Sequence, residues 1–163
     1  MKLKHQVSLI TGAGAGIGRA TAVQFAKEGA QVVALDWNTE SVETTRSLIE
    51  QAGGICQAMT VDVSQEQQVK DEIATTVEIF GHLDILFNNA GISILKPITE
   101  TTEAEWDRVL VSILKACSSA ANMQSLKWCS RVAASLSTQH PNWRSRLNPY
   151  TALTVPLKVV FWR

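Results

Sequence analysis

Thr11-Gly12-Ala13-Gly14-Ala15-Gly16-Ile17-Gly18 decides how this chain folds. It follows the short apolar run Val7-Ser8-Leu9-Ile10 and opens a stretch with helical periodicity from about Ile17 to Glu28, closed by Gly29. In a strand, glycine-rich turn and helix, backbone approaches a pyrophosphate with no Cβ in the way. The helix start adds free N–H groups and a partial positive charge. The spacing is informative. G-x-G-x-x-G would need a glycine at position 17, which is Ile, whereas T-G-x-x-x-G-x-G fits with Gly12, Gly16 and Gly18. An ordinary glycine turn is the alternative, and the strand–turn–helix context argues against it.

Outward from this turn, strand-like and helix-like segments alternate. Gln31 to Leu35 reads as strand two, Glu40 to Gln51 as a helix ended by Gly53-Gly54, and Cys56 to Val61 as strand three. Ser64-Gln65-Glu66-Gln67 has the pattern of a capping box, before a helix with Val69, Ile73, Val77 and Phe80 on one face. Leu83 to Phe87 is strand four, apolar apart from Asp84, as expected of a strand buried on both faces of a parallel sheet. Thr102-Glu103-Ala104-Glu105 is a second capping box, opening a helix through Trp106, Val109 and Leu110. Such alternation with short connections predicts an α/β fold, a doubly wound, Rossmann-like parallel sheet with right-handed crossovers. Ligands of that fold sit beyond the carboxyl ends of the strands.

Three further places carry chemistry. Asp36 ends strand two, 18 residues after Gly18. A carboxylate there accepts from adenosine-ribose hydroxyls and repels a 2′-phosphate, which predicts NAD rather than NADP; a solvated strand-end acid is the alternative. Asp62 and Val63 follow strand three. They suit an adenine contact or a helix start equally. Asn88-Asn89-Ala90-Gly91 follows strand four. Its small residues and amides suit a wall beside a nucleoside, though the tetrapeptide alone fits any turn.

Together these features resemble the short-chain dehydrogenase/reductase family over residues 1 to about 115. The resemblance implies cofactor binding by Gly12, Gly16, Ile17 and Gly18, ribose recognition by Asp36, adenine contact by Asp62 and Val63, and a nucleoside-side wall from Asn88 through Asn89 and Ala90 to Gly91. It implies hydride transfer between NAD(H) and a small alcohol or ketone, and homo-oligomeric assembly of the intact family members. The family's acid/base is a tyrosine with a lysine four residues on, aided by a serine and by a fourth-helix asparagine. Here the asparagine position, near 113, holds Ile, and the only tyrosine, Tyr150, has Thr154 four residues on. No catalytic residue is therefore assigned, and a catalytically silent NAD-binding fragment is the alternative to an oxidoreductase.

Composition locates the break. All 15 acidic residues lie at or before Asp107 and all nine glycines at or before Gly91. Residues 1–107 carry a balance of −8 and residues 108–163 one of +8. Back-translation with one G restored after the Lys115 codon allows residues 116 onward to be respelled. The new reading contains V-I-V-N-T-A-S, then P-Y-C-A-S-K, then a small-residue helix. That order and spacing resemble the family's missing middle. Residues 1–115 are thus read as an incomplete dinucleotide-binding domain, truncated after about its fourth strand and helix. Residues 116–163 are read as a frameshifted basic tail, with a genuine, divergent basic segment as the alternative; the frameshift leaves strand four as an unpaired apolar edge. The tail's arginines Arg131, Arg144 and Arg146 are scattered, so neither nucleic acid nor a membrane is expected as partner. Cys56, Cys117 and Cys129 show no metal-ligand spacing, and their odd number, with no signal-peptide core, predicts a reduced, cytoplasmic protein.

Overall fold

The structure is a computed structural model that describes residues 1–110 and the strand Val159–Phe161. Positions 113, 150 and 154 and the boundary near 115 lie outside the described residues. Strand β1 (Val7–Thr11) leads through the glycine turn into α1 (Gly16–Lys27), and β2 (Gln31–Asp36) into α2 (Thr39–Gln51). Then come β3 (Ile55–Thr60), α3 (Glu66–Phe80), β4 (Ile85–Asn88) and β5 (Val159–Phe161). Residues 103–110 are helical. The sheet order is β3-β2-β1-β4-β5, with the first four strands parallel.

The strands alternate between two apolar layers, because successive side chains of a strand point to opposite faces. Ile10, Val32, Ala34, Ile85 and Phe87 pack with Ala22 of α1 and with Val42 and Ile49 of α2. Leu9, Val33, Leu35 and Leu86 pack with Val69 and Ile73 of α3. Both faces of the sheet are thereby covered. Each fully buried aliphatic side chain stabilises the fold by about 1.5–3 kcal/mol. The chain moves out from β1 to β3, then returns through α3 on the other face to place β4 on the far side of β1. That reversal makes the carboxyl ends of β1 and β4 a topological switch point.

Three expectations are corrected. Strand four starts at Ile85, not Leu83. The buried Asp84 stands just before it, its N–H donating to the Val7 carbonyl and its Oδ2 accepting the Val7 N–H, at 3.0 Å each, with His82 Nε2 3.1 Å from that oxygen. The Ser64–Gln67 capping box does not form: Gln65, not Ser64, is the N-cap of α3, and its side chain makes no cap bond. Asp62 Oδ1 instead accepts the Ser64 N–H at 2.9 Å, and Gln68 Oε1 accepts the Asp62 N–H at 3.0 Å. Finally, β4 is not an unpaired edge. It pairs antiparallel with β5, in the register Leu86↔Phe161, Phe87↔Val160 and Asn88↔Val159. The free N–H and C=O groups of an apolar edge take up an extended apolar segment wherever one is in reach. Val159-Val160-Phe161 is such a segment.

Candidate functional site

The carboxyl ends of β1, β2 and β4 bring the expected residues to one edge of the sheet. Gly12 and Gly16 have φ of 65° and 51°, a region glycine enters freely and other residues rarely. Gly18 is needed for a different reason. A Cβ on it would lie 2.0 Å from the Gly12 carbonyl oxygen and 2.7 Å from Asn89 Nδ2, so no side chain fits. Ala15 precedes α1 without a side-chain cap, and no acid occupies the first turn. That turn, with Ile17 exposed on it, can therefore offer its backbone N–H groups to an anion. Space beside Gly16 is open, with no atom within 4 Å of where a Cβ would stand.

Asp36 closes β2 beside this loop. Its Oδ2 accepts the Gly14 N–H at 2.8 Å and its Oδ1 the Asn38 N–H at 3.0 Å. Asp62 is exposed, and one of its oxygens serves the turn before α3; Val63 is half-buried against the layer under α3. The helix-start contact is thus present at Asp62, beside a carboxylate still open to solvent.

Asn88 is buried at the end of β4, and its Nδ2 has no hydrogen-bond partner among the described residues. An orphaned buried donor costs about 1–3 kcal/mol, which a polar ligand group would relieve. Ala90 is half-buried and Gly91 exposed. Asn89, within the Asn88–Gly91 stretch read as the nucleoside-side wall, also braces the glycine loop. Its Nδ2 lies 3.2 Å from both the Thr11 and Gly12 carbonyl oxygens, while Thr11 Oγ1 accepts the N–H groups of Asn89 and Ala90 at 3.0 Å each. This lacing fixes β4's exit turn against the glycine loop. Sequence reasoning missed Arg19. Its guanidinium donates to the Gly14 carbonyl, to Thr45 Oγ1 at 3.0 Å and to the Ser41 carbonyl at 3.2 Å. No short-range pattern marks Arg19, because Ser41 and Thr45 lie on another helix.

A nicotinamide dinucleotide, the group this fold implies, fits these residues. The loop is a cradle that a Cβ would fill, the helix start is uncapped, a fixed carboxylate stands at β2, and a buried amide lacks a partner. A recess of about 190 Å³ lined by Met1, Val23, Ala26 and Ile49 among others lies at the opposite end of α1, away from all of them.

The family model for short chain dehydrogenases matches residues 6–136. The chain belongs to the short-chain dehydrogenase/reductase family of oxidoreductases. It is 39% identical over 117 residues to a 3beta-hydroxysteroid dehydrogenase of Mediterraneibacter gnavus, covering 71% of this chain and 42% of that one. A short chain dehydrogenase from Mycobacterium smegmatis superposes with a TM-score of 0.70 at 39% identity, over 74% of this chain and 51% of that one. A metagenomic short-chain oxidoreductase solved in complex with NADP gives 0.72 at 29% identity, over 82% and 60%. The chain spans less than half the length of the curated relatives it matches. No helix among the described residues is long and apolar enough to cross a membrane.

Proposed function

We propose that this chain binds a nicotinamide dinucleotide at the carboxyl ends of β1, β2 and β4 and prefers NAD(H) to NADP(H). The observation that carries this is the Asp36 carboxylate, held beside the glycine loop by two backbone N–H groups. Gly12, Gly16, Ile17 and Gly18 would take the pyrophosphate at the start of α1. Asp36 would accept from the adenosine ribose and repel a 2′-phosphate. Asp62 and Val63 would meet the adenine, and Asn88, Ala90 and Gly91 would form the wall on the nucleoside side. When bound, the cofactor supplies hydride chemistry, and the parent protein would use it on a small alcohol or ketone. Cys56, a free and buried thiol, fits a reducing, cytoplasmic setting.

A second reading applies to the chain as written. Its sequence has no Tyr-x-x-x-Lys, since Tyr150 is followed four positions on by Thr154. We take residues from about 116 onward to be out of frame and the chain to be a catalytically silent dinucleotide-binding fragment. Fluorescence titration with NADH and NADPH, followed by an alcohol and ketone turnover screen, tests both readings. The expected result is tighter NADH binding with no turnover. Equal or tighter NADPH binding sinks the cofactor choice, and a robust Tyr150-dependent rate sinks the silent fragment.

A further inference from the structure

The glycine loop and Asp36 are joined through a single peptide residue that the glycine motif leaves unassigned. The Gly14 N–H donates to Asp36 Oδ2, and the Gly14 carbonyl accepts from Arg19. Arg19 is itself held by Ser41 and Thr45 of α2, and the buried Thr45 hydroxyl donates to the Ala13 carbonyl at 2.8 Å. The oxygens of Gly14, Ser41 and Thr45 that receive the Arg19 guanidinium are all neutral, so its charge is not spent in a close pair with Asp36. A Cβ on Gly14 would fall 2.7 Å from both Cγ and Oδ2 of Asp36 and 2.8 Å from Ser41 Cβ. Atoms that close must part, and the Asp36 carboxylate is the group with a torsion free to turn.

From this we infer that Gly14 and Arg19 are specificity-determining residues: they aim the Asp36 carboxylate and so set the discrimination between a ribose 2′-hydroxyl and a 2′-phosphate. The inference rests on the dinucleotide reading above. A carboxylate has about four acceptor sites. Gly14 and Asn38 occupy one on each oxygen, which leaves one on each for two neighbouring hydroxyls. Hydrogen bonds weaken steeply away from good geometry, so a carboxylate turned by a few tenths of a radian loses the hydroxyls first. Its repulsion of a phosphate falls as well once it points elsewhere.

The test is the ratio of NADPH to NADH dissociation constants for the full chain, measured by fluorescence titration. The proteins are the wild type, Gly14→Ala, Arg19→Met, Asp36→Ala and the Gly14→Ala/Asp36→Ala pair. Gly14→Ala is expected to lower the ratio about tenfold, equivalent to about 1.4 kcal/mol, mainly through weaker NADH binding. Arg19→Met should lower it in the same direction by roughly threefold. With Asp36 already Ala, Gly14→Ala should change the ratio no further, because the residue it acts through is gone. A general loss of structure would weaken both cofactors alike and leave the ratio in place. A wild-type ratio in both Gly14→Ala and Arg19→Met, with wild-type circular dichroism, overturns the inference while leaving the dinucleotide reading intact. An equal Gly14→Ala effect in the Asp36→Ala background overturns it too. Should Gly14→Ala fail to fold, Arg19→Met decides alone. A wild-type chain that binds neither cofactor overturns the dinucleotide reading and this inference together.

Discussion

Gly16 and Gly18 stand two residues apart, and substitution at each has a different cost. Gly16 has φ of 51° and open space beside it, so Gly16→Ala meets only backbone strain, roughly 1–2 kcal/mol. Gly18→Ala drives a methyl to within 2.0 Å of a backbone oxygen, and the α1–β1 packing must shift to admit it. Overpacking of that kind costs about 1–3 kcal/mol and displaces the loop as well. Gly18→Ala is expected to lose dinucleotide binding and to lower the urea midpoint at least as far as Gly16→Ala; the reverse order would mean that the loop relaxes around a side chain. The glycine spacing was legible in the sequence because it is local, as was Asp36 at a strand end. Gly14 and Arg19 were not, nor were the contacts of Asn89 to the glycine loop, since the partners that give them meaning stand 22 to 78 positions away along the chain or on another helix. Asp62 stayed two-sided in the sequence, and the structure adds its turn contact to Ser64 without closing off its second oxygen.

Two capping patterns read alike in sequence, and only one forms. At Thr102–Glu105 the box is reciprocal: Glu105 Oε2 accepts the Thr102 N–H at 2.9 Å, and Thr102 Oγ1 accepts the Glu105 N–H at 3.3 Å. At Ser64–Gln67 the earlier Asp62 takes the Ser64 N–H that the Gln67 side chain would have accepted in the box. The formed box also carries a charge. Lys96, with the Thr102 N–H and hydroxyl, holds the Glu105 carboxyl at about 2, well below its ordinary 4.5. A depressed carboxyl stabilises the fold above its unfolded value and loses that contribution as pH falls through the folded value. Amide protection over residues 105–109 should therefore hold at pH 5 and decline between about 4.5 and 2. Glu105→Gln should flatten that decline, and an unchanged profile would detach the helix start from this carboxylate. On β3, burial pushes the Cys56 thiol up to about 12, aided by the nearby Glu50 charge. At pH 8 it stays protonated beneath α2. Iodoacetamide should leave the Cys56 peptide unmodified in the native chain and alkylate it in urea, as read by mass spectrometry. Native labelling at the denatured rate would mean that α2 does not cover β3.

The four parallel strands were legible as a whole molecule because each carries its own apolar run and its own turn. The fifth was not. Val159-Val160-Phe161 follows Pro156 in a stretch without periodicity, and its partner, β4, lies some 70 residues back in the chain. What joins them is physical need rather than pattern. β4 is buried on both faces, and its outer backbone groups must find partners. An antiparallel edge strand on an otherwise parallel sheet is a common solution. The consequence is testable. Proline removes a ladder donor and is poorly tolerated inside a strand, so Val160→Pro should open the β4 edge. Hydrogen exchange should then rise at Ile85–Asn88 and stay low in β1 and β2, which have neighbours on both sides. Light scattering should rise with it, since an unpaired apolar edge recruits other chains. Unchanged protection in β4 would show that its outer edge does not depend on β5. The same measurement bears on the proposed shift of reading frame. A chain with one G restored after codon 115 would replace β5 by the continuation found in the family. Its β4 should then resist exchange without Val159–Phe161 beside it, and alcohol or ketone turnover should appear with NAD(H). A restored chain that neither protects β4 nor turns over would leave the tail as written to be explained as a genuine segment of the protein.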